Sequence, residues 1–188
     1  MPGLQAARGA SLITSETAAE PAGSTPGAGR SATPLALAVA AVALVVDVAS
    51  KQLAVRELEG RDPVQVLGEV LQLTLVRNPG AAFSTGESFT PAISLVAVIA
   101  TAVIVRLVFK VRHRGWAVAL GLLLAGVSGN LVDRVFRAPG PLRGHVVDFF
   151  QLPHWPVFNV ADICINAGAI LMAILLFRGV HLDGGRDG

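Results

Sequence analysis

The chain is predicted to be an all-α polytopic membrane protein, with four transmembrane helices and a small periplasmic or extracytoplasmic β-sheet and loop. Composition is the first reason. Of 188 residues, 53% are hydrophobic and only 15% charged, with a mean hydropathy of +0.62, whereas a soluble domain carries roughly 25% charged residues. The second is that the apolar residues fall in four blocks, each near the roughly 20 residues that cross a bilayer as a helix. The third is the basic hairpin KVRHRG between the second and third blocks, a short Lys/Arg-rich loop of the kind that stays cytoplasmic.

Taken in order, residues 1–33 are rich in Ala, Gly, Ser, Thr and Pro and are read as a disordered cytoplasmic tail. The first span opens at Pro34 with PLALAVAAVALVVDVASKQLAV. The outer segment Arg56 to Thr90 follows. In it, VLQLTLVRN alternates Leu71, Leu73 and Leu75 against Gln72 and Thr74, which predicts a strand at the membrane surface. Asn78-Pro79-Gly80 then supplies turn chemistry. The second span runs from Pro91 to Val111, and the hairpin with Lys110, Arg112 and Arg114 joins it to the third, Trp116 to Val132. A second outer segment, Asp133 to Phe158, precedes the fourth span, Asn159 to Phe177, and a short cytoplasmic tail, 179–188. The membrane-embedded body is thus expected over 34–178. An even number of spans around a cytoplasmic hairpin puts both termini in the cytoplasm and the two long connections outside.

Several functions are disfavoured at this point. A formal net charge of +2 is too small to argue for nucleic acid. The single cysteine, Cys164, excludes an internal disulfide or a Cys-rich zinc site, and inside an apolar run it reads as a small buried hydrophobe. His145, Asp148 and His154 match no strong zinc spacing, so neither metal nor cofactor is expected.

What needs explaining is the polar content of the spans. Asp47 and Lys51 stand i, i+4 on the first, acid before base, the favourable order for a helical pair. A bland reading has them as an interfacial salt bridge with Lys51 snorkelling outward. In the third span, GVSGNLVDR places Asn130, Asp133 and Arg134 on one face, and Gly126 and Gly129 would let a neighbour approach closely. Asn159 is suited to N-cap the fourth span, with Asp162 at N3, where a carboxylate complements the helix dipole. That explains one acid of VVDFFQLPHWPVFNVAD and leaves Asp148 over. By the predicted topology these groups converge near the outer interface, where ionisable residues point to a functional site.

Two carboxylates held together share a proton, so that one activates water while the other polarises a carbonyl. Asp148 and Asp162 are the best candidates, brought back towards each other by a loop containing Pro153 and Pro156. Phe149, Phe150 and Trp155 are expected to seat that loop in the interface. A different class, a small transporter or channel with intramembrane carboxylates, would spread its polar groups through the membrane and repeat internally. Here they gather at one end and no repeat is visible.

DVASK, NPGAAFS, GVSGNLVDR, and VVDF with FNVAD, in that order on a four-span layout, resemble the lipoprotein signal peptidases (signal peptidase II) of the bacterial inner membrane, over about residues 34–178. The resemblance implies an aspartic-type endopeptidase of the cell membrane with its active site at the outer face. Its substrates would be diacylglyceryl-modified prolipoproteins, cleaved on the amino side of the lipidated lipobox cysteine. It makes Asp148 and Asp162 the catalytic pair. Asp47, Lys51, Asn78, Gly126, Asn130, Arg134 and Asn159 become supporting or substrate-facing residues, with Asp133 beside them. It also implies contact with membrane lipids and inhibition by globomycin-type peptides. One departure is Ala125, where such sequences usually have a second glycine before Gly126. A lid over the site is expected from either Arg56–Thr90 or Arg137–Val146.

Overall fold

The computed structural model describes residues 31–80 and 90–185; most of the N-terminal tail and the AAFS part of NPGAAFS lie outside these. Seven elements follow in the order α1 (Thr33–Leu58), β1 (Val64–Leu67), β2 (Leu71–Asn78), α2 (Thr90–Val108), α3 (Arg114–Phe136), β3 (Val146–Gln151) and α4 (Val160–Phe177). All four helices are long and apolar enough to span a membrane. The expected strand 70–78 is present as β2.

α3 is the most buried of the four and packs against the other three. Where α2 passes into α3, Val108, Val111, Trp116 and Leu120 close with Ala36, Leu175 and Val180 into an apolar core. Two side chains lock this end: Thr33 Oγ1 donates to Val108 O at 2.7 Å and Trp116 Nε1 to Val180 O at 2.8 Å. Beyond Phe177 the chain turns back, so that Arg112 N donates to Leu182 O at 3.0 Å.

At the opposite end the strands form one antiparallel sheet in the order β1-β2-β3. Leu73 and Leu75, on the face expected from the alternation, pack with Val147, Phe149, Ala54 and Leu58 to fix the sheet on the end of α1. β3 alternates in turn: Val147 and Phe149 face this cluster, and Asp148 between them faces α3 and α4. Phe149 is therefore a core side chain and not an interfacial anchor, a correction to the expected role; Trp155, by contrast, is 65% exposed.

Candidate active site

α4 begins as its sequence requires. Asn159 accepts from Asp162 N at 3.0 Å, and the Asp162 carboxylate accepts from Asn159 N at 3.1 Å, a reciprocal capping box. The carboxylate is thereby fixed at the helix start with one oxygen, Oδ2, occupied. Its other oxygen accepts from Asn130 Nδ2 at 2.9 Å.

Asp148 is held from two further elements. Asn78, the last residue of β2, donates to Oδ2 at 2.9 Å, and Asn159 Nδ2 donates to Oδ1 at 2.6 Å. Asn78 Oδ1 in turn accepts from Gly80 N at 2.8 Å, the side-chain turn that closes Asn-Pro-Gly. Asp148 is only 2% exposed. Burial raises its pKa to about 6, assisted by the charge of Asp162 and opposed by the bonds from Asn78 and Asn159 and by the charge of Lys51. Two carboxamides, Asn130 on α3 and Asn159 at the α4 cap, thus connect the two acids without adding formal charge, while Asn78 from β2 holds the second oxygen of Asp148. Asn159 Nδ2 completes the link with a 3.2 Å bond to Asn130 Oδ1.

Beneath this layer lies a cluster of ions. Lys51 Nζ sits 2.9 Å from Asp47 and 3.1 Å from Asp133, and donates to Asn130 Oδ1 at 2.9 Å. At 1% exposure it does not snorkel; it turns inward, because α1 packs this face against α3 and the Asp47 and Asp133 carboxylates and Asn130 Oδ1 receive it there. Asp133 also pairs with Arg137 and accepts from Val147 N at 3.2 Å, tying α3 to β3. Asp47 accepts from Ala161 N at 2.8 Å, tying α1 to the start of α4. The two glycines of GVSGN make these approaches possible. A Cβ on Gly126 would collide with Ala161 O and Ile165, and one on Gly129 with the Asp47 carboxylate. Ala125 is buried in the same packing. Arg134 is buried beside the site, its guanidinium 3.5 Å from Pro79 O.

Asp148 and Asp162 line one open cavity of about 570 Å³, with Asn78, Trp155, Pro156, Ile163 and Asn166 among its walls. Sequence reasoning missed Asn166 as a wall of this cavity. The signal was there, a carboxamide one turn beyond Asp162 in an otherwise apolar span. Of the two segments considered for a lid, 137–146 is tethered: Ser94 Oγ donates to Leu142 O at 2.7 Å and Gly144 N to Arg134 O at 2.9 Å. The other is described only in part. Among the described residues no group of three His, Cys, Asp or Glu gathers as a metal site would require.

Four membrane-length helices, a sheet at one end and two acids in a cavity beside it define a multi-pass membrane protein with an enzyme-like site. Solved structures agree. Two bacterial membrane enzymes determined by the in meso method, at 2.3 and 1.9 Å resolution, superpose with TM-scores of 0.67 and 0.68 at 28% identity. They cover 77% of this chain and 88% and 94% of theirs. A family model described as signal peptidase (SPase) II matches residues 39–178, and the chain belongs to that family of peptidases. Among its relatives, the lipoprotein signal peptidase of Mycolicibacterium smegmatis is 51% identical over 152 residues, 79% of this chain and 63% of that protein. That of Rhodococcus jostii is 49% identical over 82% of this chain and 78% of its own length. The one from Streptomyces coelicolor is 48% identical over 78% and 72%.

Proposed function

We propose that the protein removes the signal peptide from diacylglyceryl-modified prolipoproteins by aspartic-type hydrolysis, with Asp148 and Asp162 as the catalytic pair. The observation that carries this is the shared cavity. Two carboxylates from different elements open onto it, joined through Asn159 and Asn130. The pair works with one shared proton, and the burial that raises the pKa of Asp148 to about 6 lets it hold that proton to a higher pH than an ordinary carboxylate would. The ionised acid takes a proton from water as its oxygen attacks the scissile carbonyl carbon, and the protonated acid gives its proton to the carbonyl oxygen. Collapse of the tetrahedral intermediate breaks the C–N bond as the acid that took the water proton passes it to the departing nitrogen and the other acid takes back the hydroxyl proton. The signal peptide leaves with a new carboxyl group, and the lipidated cysteine acquires a free amine.

The scaffold suits that chemistry. Each carboxylate oxygen already accepts a hydrogen bond, so neither acid must reorganise before attack. The ion cluster is formally balanced, Asp47 and Asp133 against Lys51 and Arg137, so it braces the carboxamides without adding net charge beneath the pair. Arg134, Gly126 and the cap residue Asn159 complete the supporting set. The basic α2–α3 hairpin argues for cytoplasmic termini and a site at the outer face, where water is available and a lipid-anchored substrate is held close. The test is conversion of a diacylglyceryl-modified prolipoprotein in proteoliposomes by the wild type, Asp148→Asn and Asp162→Asn. Near-normal turnover by either variant would refute the pair, and equal cleavage of unlipidated precursor would refute the substrate class. Inhibition by a globomycin-type peptide, lost with the same variants' substrate binding, would support the location of the site.

A further inference from the structure

Asn166 lies one turn along α4 from Asp162, with its carboxamide exposed on a membrane-length helix. One N–H donates to Asp162 O at 2.8 Å. A carboxamide offers a second N–H and an oxygen with two lone pairs, and among the described residues neither has a protein partner. In hydrocarbon such groups are costly unless something else satisfies them.

The surroundings say what that is. Asn166 shares the wall of the cavity with both acids, and along α4 the same wall includes Ile163 before it and Ala167 and Ile170 beyond it. These residues form one stripe of the helix, about 10 Å long at 1.5 Å per residue. The groove is therefore apolar except at Asn166, and it leads from the acids along a spanning helix. A peptide bond must be extended to be attacked at the acids. An extended chain gives up its helical hydrogen bonds where no water replaces them, so its N–H and C=O need partners from the enzyme. Asn166 presents the complementary pair, an acceptor and a donor side by side. A glyceryl ester, which only accepts, would use half of it.

We propose that Asn166 is a substrate-positioning residue that hydrogen-bonds a backbone peptide group of the bound signal peptide on the amino side of the scissile bond. This rests on the assignment of cleavage to Asp148 and Asp162. Asn166 is about 6 Å along the helix from Asp162, and an extended chain advances about 3.3 Å per residue. The contacted group is then about two residues before the bond that is cut.

The experiment is a coupling measurement with full-length enzyme in proteoliposomes. Lipidated precursor peptides are N-methylated singly at each of the three amides preceding the scissile bond and assayed against wild type and Asn166→Leu. Leucine suits the helix, and the substrate arm with wild type requires no variant at all. Loss of one or two such bonds predicts a KM raised about 5- to 30-fold in Asn166→Leu, with kcat changed less than about twofold. One methylated position should raise the wild-type KM comparably and add little in Asn166→Leu. If no methylated amide raises the wild-type KM, or if the two losses multiply, the assignment is overturned. It is equally overturned if the Asn166→Leu penalty disappears with an ether-linked lipid instead, which would give the contact to the glyceryl ester. Failure of the wild type to cleave any lipidated peptide would strike the parent reading; normal kinetics of Asn166→Leu alone would strike only this one.

Discussion

Where α2 passes into α3, the bundle is closed by Val108, Val111, Trp116, Leu120 and Leu175, with Thr33 and Trp116 donating to backbone carbonyls to lock it. At the sheet end the same four helices bury Asp47, Lys51, Asp133 and Asn159, and β3 adds Asp148. Apolar closure is the ordinary way to hold helices together. A buried ion cluster is a poor one, since desolvation cancels most of the attraction. The contrast teaches that one end secures the bundle and the other is arranged for what it positions. Asp47 fixes the start of α4, Asp133 fixes β3, and Lys51 fixes Asn130, each of these one bond from an acid of the cavity.

Substitutions that sharpen the comparison should separate activity from stability. The largest effect is expected from Asp148→Asn and Asp162→Asn, which should each lower cleavage by ~10³-fold while the protein remains folded; single-turnover conversion of a lipidated precursor measures it. Lys51→Met strands Asp47 and Asp133 against each other and should cost about 3–5 kcal/mol in reversible unfolding in detergent. Adding Asp47→Asn should recover part of that loss; a loss no larger than that of a surface lysine would show that the cluster does not brace the site. At the opposite end, Leu120→Ala should cost about 3 kcal/mol through the cavity it leaves. Cleavage per folded molecule should stay within about twofold, and a larger fall would break the division of labour between the ends.

The smallest effect is a pH dependence. The pKa of Asp148 is raised from its ordinary value to about 6 by burial. Its contribution to stability is therefore complete below the unfolded value and is lost as pH rises through about 6. Between about pH 4.5 and about pH 7.5 the wild type should lose about 2 kcal/mol relative to Asp148→Asn, read from paired unfolding curves. Parallel curves would mean that Asp148 is not buried as described.

The apolar end was the more legible in sequence. Its four blocks gave the helices, and the hairpin KVRHRG separated the second from the third. At the sheet end, local rules carried part of the way: the Asn159–Asp162 cap, the Asp47–Lys51 spacing and the strand β2 appear as expected, with Leu73 and Leu75 on its packed face. The rest depended on tertiary neighbours. β1 has four exposed residues and no buried face to set a period. β3, VVDFFQ, is a short apolar run whose strand character comes from pairing with β2. Whether Lys51 turns out or in is decided by Asn130 and Asp133, 79 and 82 positions away in sequence.

The pairing of β2 with β3 sets Asn78 opposite Val146 and Val76 opposite Asp148, with a one-residue irregularity between there and Leu73 opposite Phe150. Side chains alternate along a strand, so a slip of a single residue would turn Asp148 into the hydrophobic cluster and bring Val147 or Phe149 to the cavity. Such a molecule would keep its helices, its topology and most of its melting enthalpy, and it would be inert. The specific activity of a purified sample would then count correctly registered molecules, a measure of folding fidelity that helical content cannot supply.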